Sequence, residues 1–172
     1  MNVTDTQTSA LTHMPRPPKE LLATSTFLLK RLGFAAKYRS QDAFEGTGLT
    51  AFHYGVLALL EEDPAETQAV IADALGYDRS HLVRLLDELE ERDLVVRQRD
   101  PGDRRRHVVT LTPDGREILG RMRAIVREMN DEFLSPLDAD QQARLHALLA
   151  QLIEYHDPRC AAPDQLRPES AA

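Results

Sequence analysis

The chain has 172 residues, 42% hydrophobic and 28% charged, with a formal net charge of −7 at pH 7. That length suits one domain with tails, and the composition excludes a largely disordered chain. No run approaches the roughly 18 apolar residues of a membrane helix, so no membrane partner is expected. Met1–Pro18 lacks the apolar stretch of a secretory signal, and the single cysteine, Cys160, excludes an intramolecular disulfide framework; the cytoplasm is the expected compartment.

The negative mean hides an asymmetry. Between Ser40 and Asp78 there is no Lys or Arg against eight acids, whereas Arg97–Arg123 holds eight arginines against four acids, a local +4. A polyanion responds to the local field rather than the average, so the acidic total does not exclude nucleic acid.

Residues 1–18 read as a flexible tail, since Pro15, Pro17 and Pro18 cannot sustain a helix. A first helix is predicted over Lys19–Phe44, apolar on more than one face through Leu21, Leu28, Leu32 and Phe34; such a helix is buried on several sides, which in so short a chain suggests a partner subunit. Thr50 can cap a second helix, Ala51–Glu61, with Phe52, Val56, Leu59 and Leu60 on its inner face, and Pro64 breaks it. Thr67 starts a third helix with Val70, Ile71, Ala74 and Leu75 inward, and Gly76 stops it. Asp78 then caps a fourth, whose stripe is Leu82, Leu85, Leu86 and Leu89. Two short helices joined by Gly76-Tyr77-Asp78 have the form of a helix-turn-helix.

Leu94-Val95-Val96 and Val108-Val109-Thr110-Leu111 are strand-like runs, and Pro101-Gly102 between them marks a turn. They close a hairpin with arginines at its tip. A helix-turn-helix followed by a basic-tipped hairpin is a winged helix, so the predicted class is mainly α: a winged helix-turn-helix over 50–112, with a two-stranded wing. Thr112-Pro113-Asp114 opens a long helix across 113–134, Pro136 interrupts, and Asp138 with Gln141 resembles a capping box for a last helix over 137–156. The terminal helices, 19–48 and 137–156, carry more apolar surface than one small lobe covers and are read as dimerisation helices. Residues 157–172 read as a second flexible tail.

The segment Arg99-Asp100-Pro101-Gly102-Asp103-Arg104-Arg105-Arg106-His107-Val108-Val109-Thr110-Leu111-Thr112-Pro113-Asp114-Gly115 resembles the wing signature of the MarR family of bacterial transcription regulators, a D-x-R element followed by a V-x-L-T-x-x-G step from strand to helix. Leu85–Val95 is similar to the family's recognition-helix end, with Asp93 where the family typically has Gly; Asp tolerates the left-handed conformation needed there. Leu49-Thr50 with Tyr54-Gly55-Val56-Leu57 resembles its second helix. The resemblance covers about Leu21 to Ile153. It implies a homodimer interleaved through its first and last helices, bound to double-stranded DNA and often released by a small, commonly aromatic ligand.

Candidate DNA contacts are Arg79, Ser80, His81 and Arg84, on the fourth helix away from its leucines, because the first turn of a recognition helix reaches base edges in the major groove. Arg104, Arg105 and Arg106 are wing candidates; alternate side chains of a hairpin face opposite sides, so one or two face DNA. The resemblance assigns Asp103 as the acid that orients a wing arginine. Arg99 either contacts DNA or pairs with Asp100. For the effector, the resemblance points to His53 and Tyr54, with Phe34, Tyr38 and Arg39; core packing is the alternative for each. Cys160 is expected to be an inert exposed thiol, and with His156 it makes only half of a zinc ligand set. No H-E-x-x-H, Walker or Rossmann pattern occurs. No enzymatic activity, cofactor or metal is therefore expected. Two readings remain, a ligand-responsive dimeric regulator on a pseudo-palindromic operator, or a winged-helix protein-interaction module; the arginines at the hairpin tip favour the first.

Overall fold

The computed structural model describes residues 16–62, 66–99 and 107–160. The chain divides into two compact units, residues 1–39 and 40–172.

In the first unit the expected long helix is broken. Helix α1 spans Lys19–Leu22 and α2 spans Ser25–Phe44, reaching into the second unit. The break falls at Thr24, whose hydroxyl donates to the Leu21 carbonyl at 2.9 Å. A side chain that satisfies a carbonyl of the preceding turn offers the backbone an alternative to continuing the helix. Leu28, Leu29, Leu32, Phe34 and Tyr38 are all exposed on α2.

After α2 the second unit continues with a 3-10 turn, Glu45–Thr47, in which Thr47 donates to the Phe44 carbonyl and accepts from the Leu49 amide. Helix α3, Ala51–Glu62, buries Val56, Leu57 and Leu60. A two-residue strand, β1 (Glu66–Thr67), follows. It is an addition to the predicted wing, since two residues carry no readable periodicity. Helix α4, Gln68–Leu75, is capped by Thr67, and Gly76 ends it at φ 66°, a left-handed conformation open to glycine. Its inner face differs from expectation: Ile71 and Ala72 are buried and Leu75 half-buried, while Val70 and Ala74 are exposed. At 100° per residue, positions 71, 72 and 75 fall together and 70 and 74 flank them.

Helix α5, Arg79–Glu90, buries Leu82, Leu85, Leu86 and Leu89, as its spacing predicts. The chain then turns through Asp93 at φ 56°, the left-handed position anticipated for it. Strands β2 (Val95–Arg99) and β3 (His107–Leu111) pair antiparallel, with Val95 opposite Leu111 and Arg97 opposite Val109. β1 adds to the other edge of β3, giving the order β1-β3-β2.

Helix α6, Pro113–Leu134, is capped by Thr112 and buries Leu119 and Met122. Helix α7, Ala139–His156, starts from the Asp138–Gln141 capping box and buries none of its residues; Leu148, Leu149, Leu152 and Ile153 are exposed. A 3-10 turn, Pro158–Cys160, follows α7, and in it Arg159 pairs with Asp157 and donates to the Asp73 carbonyl at 3.4 Å. The core joins α3, α4, α5, the wing strands and α6 through Leu57, Ile71, Leu86, Val109 and Leu119. This is a winged helix-turn-helix. No described helix is long and apolar enough to cross a membrane.

Candidate nucleic-acid interface

Helix α5 starts where Asp78 accepts hydrogen bonds from the Ser80 and His81 amides at 2.9 and 3.2 Å, and from the Ser80 hydroxyl. The Ser80 hydroxyl, followed by the two amides, holds the Asp78 carboxyl below its usual range, so the cap is ionised at neutral pH. Arg79, Ser80 and Arg84 are exposed, whereas His81 is half-buried. Its ring lies 4.9 Å from Phe52 and 6.0 Å from Tyr77, and Phe52 meets Tyr77 edge-on at 5.3 Å. Phe52, expected inside, is therefore 45% exposed; it braces the helix turn rather than the core.

The open face of α5 is electrically divided. Its N-terminal half shows Arg79 and Arg84, and its C-terminal half shows Asp87 and Glu88. Each of these acids has a basic partner. Asp87 Oδ1 lies 2.6 Å from Arg97 Nη2, and Glu90 Oε2 lies 3.3 Å from Arg97 Nη1. Glu88 lies 3.0 Å from His53 Nε2 and 3.8 Å from Arg84 Nε. Arg97 and Glu88 were not among the predicted site residues. A signal for Arg97 was present: it stands two residues after Val95, and alternation turns it toward the face that Val95 buries.

His53 is 3% exposed. Its Nδ1 accepts from the Thr50 amide at 3.1 Å and lies 2.9 Å from the Thr50 hydroxyl. Thr50 thus holds one ring nitrogen, while the other, Nε2, is buried facing Glu88 without a well-aligned hydrogen bond. Burial pushes the imidazole pKa down, against the opposing pull of Glu88. Tyr54 is half-buried, with its ring 6.1 Å from Phe44, and Arg123 pairs with Glu61. Phe34, Tyr38 and Arg39 are exposed in the first unit.

Arg99 is exposed at the end of β2, opposite His107. The wing tip, with Asp103, Arg104, Arg105 and Arg106, lies outside the described residues. Beside α5 an open cleft of about 560 Å³ is lined by Thr67, Gln68, Arg79, Val83 and Arg97 among others. The helix start, the cleft and the root of the wing together form one surface, with Arg79, Arg84 and Arg99 exposed on or beside it.

Comparison with known proteins accords with this geometry. A family model described as MarR family matches residues 47–106. A Thauera aromatica protein, named for transcriptional regulation of the hcr operon, is 34% identical over 105 residues, 61% of this chain. The chain spans 63% of that relative's length. Among solved structures, the transcriptional repressor CouR bound to a 23-mer DNA duplex is 33% identical, with a TM-score of 0.74 over 81% of this chain and 99% of its own. The PcaV regulator of Streptomyces coelicolor, in complex with its natural ligand, is 28% identical, with a TM-score of 0.66 over 84% of this chain and all of its own. With the wing signature, the left-handed Asp93 and the amphipathic recognition helix in place, the chain belongs to the MarR family of winged-helix transcriptional regulators.

Proposed function

We propose that the protein is a homodimeric, sequence-specific DNA-binding regulator, most simply a repressor, whose operator binding is relieved by a small ligand, with aromatic compounds the candidate class. The observation that carries the reading is helix α5, with four buried leucines on one side and exposed Arg79, Ser80 and Arg84 on the other. A helix anchored this way can enter a major groove with its first turns against base edges. Arg79, Ser80, His81 and Arg84 are assigned to that contact, and Arg99, Arg104, Arg105 and Arg106 to phosphates or the minor groove.

The complex of CouR with DNA supports the DNA reading, and the ligand complex of PcaV supports an effector. The dimer rests on the apolar face of α7 and on exposed Leu28, Leu29 and Leu32 of α2. Exposed apolar patches of this kind mark association surfaces. A two-fold dimer would read a pseudo-palindrome whose half-site centres lie about one helical turn apart.

A mobility-shift titration against the DNA upstream of the protein's own coding sequence tests the reading. The expected result is a discrete complex that survives excess unrelated duplex and that aromatic carboxylic acids dissociate. Retardation that unrelated DNA abolishes equally would contradict sequence-specific regulation.

A further inference from the structure

Arg97 joins the wing to three residues of α5 through its two terminal nitrogens and its amide, while its Nε is buried without a partner. It stands at the root of the wing, in the middle of β2, with its side chain only 20% exposed. Nη2 lies 2.6 Å from Asp87 Oδ1 and donates to the Val83 carbonyl at 3.3 Å. Nη1 lies 3.3 Å from Glu90 Oε2, and the Arg97 amide donates to Glu90 Oε1 at 3.3 Å. Val83, Asp87 and Glu90 are i, i+4 and i+7 of α5, one stripe along two turns of the recognition helix. A planar guanidinium can hold two carboxylates and a carbonyl at once, which an ammonium on a flexible stem cannot do with the same geometry.

We infer that Arg97 is a positioning residue for DNA binding: it clamps the wing to the recognition helix and neutralises two acids of that helix, without touching DNA itself. The inference rests on the proposed DNA-binding function. Its reasoning is geometric. A winged helix must place a helix in one groove and a hairpin beside it at the same time, so the angle between them is part of the recognition surface. The strand pairing of β2 with β3 fixes the hairpin internally but not against α5. Arg97 supplies polar bonds between β2 and the groove-facing helix, and it holds Asp87 and Glu90, which would otherwise repel phosphate. Isolated exposed ion pairs contribute little. The cation is mostly buried while Asp87 and Glu90 are 49% and 41% exposed, so removing it leaves two solvated but unneutralised carboxylates on the recognition helix and releases the wing from it.

The test uses the full chain and a duplex that the wild-type protein enriches from a randomised pool. Arg97→Gln, Arg97→Lys, Asp87→Asn and the Gln/Asn double variant are titrated at several salt concentrations, with thermal midpoints measured alongside. Arg97→Gln and Asp87→Asn are each expected to bind roughly tenfold more weakly. The double variant should bind no worse than Arg97→Gln alone, since both act through one contact. The salt dependence should keep its slope, and Lys should fail to restore affinity.

Asp87→Asn removes a negative charge near DNA, so tighter or unchanged binding by that variant overturns the inference. It is overturned equally if Arg97→Gln loses about one unit of salt slope per lost phosphate contact and Lys restores it, the behaviour of a direct phosphate contact. Should Arg97→Gln fail to fold, Asp87→Asn, at a half-exposed acid, decides the matter alone. If wild type enriches no duplex, the DNA-binding reading itself falls and takes this inference with it. Enrichment by wild type with equal binding by every variant removes only the role of Arg97.

Discussion

A Cβ placed on Gly115 would lie 2.0 Å from the carbonyl oxygen of Leu94. The wing and the start of α6 are pressed together at this point. The Leu94 carbonyl accepts from the Thr112 amide at 3.1 Å, the Thr112 hydroxyl donates to the Asp93 carbonyl at 2.6 Å, and the Gly115 amide donates to that hydroxyl at 2.9 Å. The Thr-x-x-Gly spacing thus reports a helix cap bolted to the strand that leaves α5.

Gly115→Ala should therefore be destabilising. The obstacle is backbone, which no side-chain rotation relieves, and overpacking of this kind costs about 1–3 kcal/mol. Urea unfolding should show a lowered midpoint; a midpoint equal to wild type would mean that the turn has room to spare.

Stability should fall on acidification, in part through His53. Burial, the largest influence, lowers its folded pKa below the unfolded one, with Glu88 opposing and Arg92 and His81 adding to the lowering. The unfolded chain then binds the proton first, so stability is lost as the pH drops below the ordinary imidazole value of about 6.5. Urea midpoints between pH 7.5 and 5.5 should decline more steeply for wild type than for His53→Gln. Parallel declines would assign the pH dependence elsewhere.

The dimer proposal places Leu149 and Ile153 in an interface, although they are 40% and 43% exposed in the single chain. Each such side chain contributes on the order of 1.5–3 kcal/mol when fully buried. Leu149→Asp with Ile153→Asp should shift sedimentation from dimer toward monomer or unfolded chain. A wild-type protein that sediments as a well-folded monomer at micromolar concentration would refute the proposal.

Arg84 and Arg105 should behave differently. Arg84 side-chain exposure is 71%, and its 3.8 Å approach to Glu88 is loose enough to surrender to a base. Arg84→Ala should cost about 1–3 kcal/mol per half-site and relax preference at one base pair. Arg105→Ala should weaken all sequences evenly and shallow the salt dependence by about one unit per lost phosphate contact. Binding to a panel of single-base operator variants distinguishes the two patterns.

Asp103→Ala should weaken binding even though it removes a negative charge, if its role is to orient a wing arginine. Titration at low and high salt checks this. Tighter binding at every salt concentration would make the acid a source of repulsion and nothing more.

Much of this architecture was legible because its signals are local. The leucine spacing of α5, the Asp78 and Asp138 caps, the Gly76 stop and the left-handed Asp93 each depend on residues within one or two turns, and all stand where the chain predicts them. The break at Thr24 was also local but weak, a single hydroxyl against a long apolar pattern. Tertiary structure alone decided the rest. Phe52 fits an inward stripe on α3, yet it turns out to meet Tyr77 and His81, because the turn after α4 brings those rings to its flank. His53 carries an ordinary ligand-like side chain in sequence; its burial against Glu88 exists only once α3 packs on α5. Arg97 belongs to an arginine-rich segment but carries no assigned role in sequence; strand alternation and the approach of α5 turn it inward to Asp87 and Glu90. Periodicity specifies which face of an element is buried, and only packing specifies which charges meet across the faces.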